Sequence, residues 1–146
     1  MGATEGIHKG VRAELAAWKM EERDIPFPRS EFKERLARLK AAMRSKGLDM
    51  VFLSSPESMY YISGYRNEWY QAQSCMEWPP ASGIAVHVDR PGFILFEVED
   101  EYLLARHTSI ADDIRGFLTV ERPWPEMPRW IVEELRDEGW LPGRMG

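Results

Sequence analysis

Apolar and polar positions alternate with two different periods along this chain, and the change of period marks out its elements. Phe32, Leu36, Leu39 and Met43 recur at intervals of four, three and four, which predicts a helix over 30–46 with one apolar stripe. Ser30 is placed to cap its start, Glu31 suits the positive helix end, and Gly47 suits the stop. Lys33, Arg35, Arg38, Lys40 and Arg44 fall mainly on the other side and read as a solvated face. The near-continuous apolar run 48–53 then predicts a strand buried on both faces. Ser54-Ser55-Pro56 ends that strand, and 57–63 predicts a short helix capped by Gly64.

The period returns to two at 82–88, where Ile84, Val86 and Val88 alternate with Ala85 and His87, predicting a strand with one core face. Asp89-Arg90-Pro91-Gly92 is a tight turn, and 93–98 is its hairpin partner. A helical stretch is predicted over 100–107 and a further strand over 114–120, weakened by Gly116. Pro123, Pro125 and Pro128 mark a connector into a last helix over 129–138, stopped by Gly139. Ahead of all this, Val11, Leu15 and Trp18 outline a short helix over 11–24 that Pro26 and Pro28 terminate. The expected organisation is an N-terminal arm over 1–29, an α/β domain over 30–122 with a mixed β-sheet flanked by helices, and a connector helix over 123–146.

Composition narrows the possibilities. The 146 residues suffice for one domain with a true core, and 44% hydrophobic with 29% charged residues excludes a disordered chain. A net charge of −5 with intermixed signs gives no reason to expect nucleic acid or an anionic membrane as partner. The single cysteine, Cys75, excludes an internal disulfide and fits a cytoplasmic protein. No run approaches the roughly 18 apolar residues of a membrane span.

Candidate chemistry is sparse. His8, His87 and His107 lack the spacing of a zinc site, and Cys75 has no basic partner nearby in sequence. Glu97, Glu99, Asp100 and Glu101 are the densest carboxylates; Glu97 and Glu99 alternate with Phe96 and Val98 as on the wet face of an edge strand. Asp112 and Asp113 read as turn residues. The feature that stands out is aromatic: Tyr60, Tyr61, Tyr65, Trp69, Tyr70 and Trp78, the last members set among Arg66, Asn67, Gln71, Gln73 and prolines, where a binding edge and a core are both open. Neither catalytic nor metal-binding residues are expected in this chain.

The order Phe32…Arg35-Leu36…Leu39…Met43…Gly47-Leu48-Asp49…Ser55-Pro56-Glu57-Ser58-Met59-Tyr60-Tyr61-Ile62-Ser63-Gly64-Tyr65 resembles the N-terminal domain of the creatinase, prolidase and aminopeptidase P family. The resemblance covers roughly 30–98. It implies a mixed sheet flanked by helices, set before a catalytic "pita-bread" domain that carries a divalent metal pair (Mn, Co or Zn) or, in creatinase-like members, none. None of that domain's ligand motifs has a match here, and Gly143-Arg144-Met145-Gly146 is similar to the connector into it, so the chain is expected to stop at a domain boundary. The resemblance further implies a homodimer in which the segment after Gly64 helps shape the partner's substrate pocket. That makes Tyr65, Arg66, Trp69, Tyr70 and Trp78 the candidates for a substrate pocket or interface.

The expected role is therefore a non-catalytic domain of an Xaa-Pro peptidase acting on a small peptide or small amide. The alternatives are the same domain of a creatinase, ectoine hydrolase or sulfoniopropionate lyase type enzyme, or a stand-alone protein-binding module.

Overall fold

A computed structural model describes residues 23–66 and 82–141. The elements are α1 (Arg29–Ser45), β1 (Met50–Leu53), α2 (Pro56–Ser63), β2 (Gly83–His87), β3 (Ile94–Val98), α3 (Tyr102–Thr108), β4 (Asp113–Phe117) and α4 (Met127–Asp137). Short 3-10 turns at Glu99–Glu101 and Trp124–Glu126 lead into α3 and α4. The sheet order is β1-β2-β3-β4. The first two pairings are antiparallel and the third is parallel, with Met50 opposite His87 and Ile94 opposite Asp113. A parallel pair needs a crossover, and α3 supplies it. The expected mixed sheet flanked by helices is what the chain forms.

Each face of the sheet carries its own core. On one, α1, α2 and α3 bring Met43, Met59, Ile62 and Ala105 against Val51, Ile84, Val86 and Leu95. On the other, Met127, Ile131 and Leu135 of α4, with Trp140, cover Met50, Ala85, Ile94, Phe96 and Phe117. Trp130 of the same helix meets the rings of Phe96 and Phe117 edge-on and tilted, at 5.7 and 5.4 Å. The segment expected as a connector thus supplies, within the described residues, one of the two covering layers.

This two-sided cover corrects several sequence expectations. β2 has no wet face: Ile84, Ala85 and Val86 are all buried. Glu97 does not face water on an edge strand, because β3 is flanked by β2 and β4 and covered from both sides. The strand outside β3 is β4, where Arg115 meets Asp113, Glu134 and Glu138 at 2.9, 3.0 and 2.7 Å. Hydrogen bonding to Asp113 leads the interactions that raise the Arg115 pKa above its ordinary value. Asp113, expected in a turn, opens that strand. Gly116 is a fitted position, since a Cβ there would lie 3.2 Å from the Glu99 Cα.

Two local expectations on α1 also change. Its N-cap is Pro28, with no side-chain cap, and Ser30 lies inside the first turn. Arg35 is buried rather than solvated, its guanidinium 4.5 Å from the Phe27 ring centroid and 4.7 Å from that of Tyr61. Its Nε donates to Glu31 Oε1 at 2.9 Å and its Nη1 to the Tyr61 carbonyl at 3.1 Å. Lys40 and Arg44 donate to the carbonyls of Arg90 and Val88, tying the helix to the β2–β3 turn. Of the expected arm helix over 11–24, only Arg23 and Asp24 are described; they belong to an irregular strap running to Pro28.

Candidate functional site at the Gly64 turn

The site is built on the end of α2. Ser55 caps the helix by accepting from the Ser58 N–H at 3.2 Å, and Pro56 fits the first helical position, whose N–H would have no partner. Gly64 stops it in the left-handed region at φ +81°, its N–H bonded to the Tyr60 carbonyl at 2.8 Å. A Cβ at this position would lie 3.1 Å from Phe32 Cζ and Pro26 Cδ and 3.2 Å from the Thr108 carbonyl. The turn is therefore wedged among α1, the strap and α3.

Polar bonds fix the residues on either side. The buried Ser63 hydroxyl donates to the Met59 carbonyl at 2.7 Å and accepts from the Tyr65 N–H at 3.0 Å. Tyr65 points inward and is 3% exposed; its hydroxyl donates to Glu97 Oε2 at 2.9 Å. The other carboxylate oxygen of Glu97, a side chain only 2% exposed, accepts from the Ser82 hydroxyl at 2.6 Å and the Val98 N–H at 2.9 Å. Such a group is tolerable in a core only because donors replace the water it loses.

Arg66 turns the opposite way. Its N–H donates to Thr108 Oγ1 at 3.4 Å, and its Nη2 donates to Asp24 Oδ2 at 2.7 Å and to the Asp24 carbonyl at 3.2 Å. Both side chains are open to water, 47% exposed for Arg66 and 66% for Asp24. The Asp24 N–H donates to the His107 carbonyl at 2.9 Å, which pins the strap to α3. The adjacent Arg23 donates to the carbonyls of Ser109 and Ala111; burial, followed by the nearby Arg29, lowers its pKa. His107 Nδ1 is shut off from solvent and has no hydrogen-bond partner among the described residues.

Of the sequence candidates, Tyr65 and Arg66 share this turn but serve opposite directions, one into the core and one into solvent. Trp69, Tyr70 and Trp78 lie outside the described residues, as do His8 and Cys75. Sequence reasoning missed Asp24, Ser82 and Thr108 and set Glu97 aside. The continuous run Phe93-Ile94-Leu95-Phe96 was the one available sign that its strand is covered on both faces. A separate open groove of about 470 Å³ runs between α1 and α2, lined by Arg38, Leu39, Leu53, Tyr61 and Ile62 among others, and does not include Tyr65 or Arg66. Among the described residues no cluster of three or more His, Cys, Asp or Glu is arranged to hold a metal ion. None of the described helices is long and apolar enough to cross a membrane.

This mixed α/β fold is shared with proteins of known class. The sequence model of the creatinase/prolidase N-terminal domain matches residues 35–146, and the chain belongs to that family. Among solved structures it is similar to an Xaa-Pro aminopeptidase from Streptococcus pyogenes, with 18% identity, a TM-score of 0.53, and 76% of this chain and 70% of that one covered. It is equally similar to the N-terminal domain of an Xaa-Pro dipeptidase from Lactobacillus brevis, with 18% identity, a TM-score of 0.54, and 71% and 68% covered. These two likenesses are of fold. In sequence, 52 residues are 31% identical to the ectoine hydrolase of Halomonas elongata, a stretch that makes up 36% of this chain and 13% of that protein.

Proposed function

We propose that this chain acts as the non-catalytic N-terminal domain of a cytoplasmic pita-bread metallohydrolase of the Xaa-Pro peptidase type. In this reading it contributes to a homodimer and to the pocket for a small peptide or small amide. The observation that carries it is the Gly64 turn, which holds Arg66 at the surface through its N–H bond to Thr108 while the Glu97 carboxylate on the inner side is taken up by donors within the core. That is a scaffold for recognition rather than for bond breaking.

In the whole enzyme a divalent metal pair in the catalytic domain would supply the activated water. The work of this chain is to bind and orient: Arg66 pairs with a carboxylate end of the substrate, and Trp69 or Tyr70 packs on its body. Metal-supplemented hydrolysis of an Xaa-Pro dipeptide by the full-length parent tests this. Trp69→Ala should lower kcat/KM about tenfold, and an unchanged value removes the pocket-wall role.

The stretch shared with ectoine hydrolase favours a second reading, the same domain serving a non-peptidase relative. Turnover of ectoine but not of the dipeptide by the parent selects it.

A further inference from the structure

The Arg66–Asp24 pair has a property that an isolated arginine would lack. Its two charges are in contact at 2.7 Å, both are open to water, and each is held by its backbone to α3: Arg66 through Thr108 Oγ1, Asp24 through the His107 carbonyl. The side-chain bonds of Arg66 all run through Nη2, which leaves Nε and Nη1 without a partner among the described residues. Asp24 uses only Oδ2 in the same way, leaving Oδ1.

We propose that Asp24 is a specificity-determining residue that pairs with Arg66 to select compact zwitterions, ligands whose cationic and carboxylate groups lie within a few ångströms of each other. This rests on the reading of Arg66 as a carboxylate partner and extends it to a second charge. The selection is electrostatic. A lone carboxylate that reaches the open edge of Arg66 meets the Asp24 carboxylate beside it, and a lone cation on Asp24 meets the guanidinium. A ligand bearing both signs opposes each charge with its complement and avoids both repulsions. An exposed ion pair is weakly held, so the ligand can loosen it without a large penalty. The fixed backbones of both residues keep the charges in register while it does so.

The test uses L-proline, N-acetyl-L-proline and L-prolinamide as probes, which carry both charges, the carboxylate alone and the ammonium alone. Each is titrated into the isotope-labelled chain while the Arg66 Nε–H signal is followed by NMR. L-proline should bind roughly fivefold or more tightly than either single-charge analogue, and Asp24→Asn should erase that preference. The exchange Asp24→Arg with Arg66→Asp rebuilds the ion pair with its direction reversed. Followed by the backbone amide signals of positions 24 and 66, it should keep the wild-type melting temperature and still prefer L-proline over both single-charge analogues, because the reversed pair presents the same two charges; loss of that preference overturns the proposal. Equal affinity for L-proline and N-acetyl-L-proline overturns the role of Asp24 and leaves the carboxylate role of Arg66 standing. No response of Arg66 to any of the three overturns both.

Discussion

Tyr65 and Arg66 are neighbours in the chain, yet they serve two regions built on opposite terms. Inward of the Gly64 turn, Glu97 gathers the Tyr65 hydroxyl, the Ser82 hydroxyl and the Val98 N–H at 2.6–2.9 Å in a region nearly closed to water. Outward of it, Arg66 and Asp24 meet at a similar distance but stand in solvent. Distance alone therefore says little about energy. Inside, a lost partner leaves buried polar atoms unsatisfied; outside, water takes the partner's place. The inner region can anchor the turn, and the outer region is free to exchange partners.

This contrast orders the effects of substitution. The largest belongs to Glu97→Ala, which strands three donors and should cost about 4 kcal/mol in urea unfolding, a large share of a small domain's stability. Gly64→Ala comes next, at about 2 kcal/mol, because alanine strains at φ +81° and its Cβ presses on Phe32 and Pro26. Tyr65→Phe removes one donor from Glu97 and nothing from the apolar packing, for about 1.5 kcal/mol. Arg66→Ala should change stability by less than about 0.5 kcal/mol. A loss at Arg66 as large as that at Tyr65 would erase the distinction between the two regions. A negligible loss at Glu97 would show that its donors find other partners.

Much of the fold can be read from the chain because its signals are local. The four-three-four spacing of Phe32, Leu36, Leu39 and Met43 places α1, and Pro91-Gly92 places the hairpin turn. The glycines at 47, 64 and 139 end their helices with positive φ. The misreadings at Glu97 and Arg35 share a different cause. Alternation along 96–99 reads as one wet face only if nothing covers that face, and β3 is paired by β4 from nineteen positions further on and covered by helices from both sides. The Glu97 partner Tyr65 is 32 residues away, and the Arg35 partner Tyr61 is 26 away. Long-range neighbours decide whether a charge is hydrated, and no window of a dozen residues contains them.

The site was legible to the same limited degree. Gly64 marks the turn, and Arg66 stands out beside it as the first charged residue after an aromatic run. Asp24 does not stand out, since a lone aspartate two residues before Pro26 carries no pattern that distinguishes it from a link residue. Only the folded strap brings it within reach of Arg66, 42 positions on.

One consequence follows from the basic residues of α1. That helix holds six basic and two acidic side chains, in a molecule whose formal net charge is −5. Apart from Arg35 its basic side chains reach the surface to some extent, all on one side of the sheet. α1 is thus a local layer of positive charge in a chain that is negative in total. Such a layer acts on a charged partner over the roughly 8 Å that physiological salt leaves unscreened. An acidic partner would be drawn to that layer first, and added salt should slow such an approach more than it weakens the final contact.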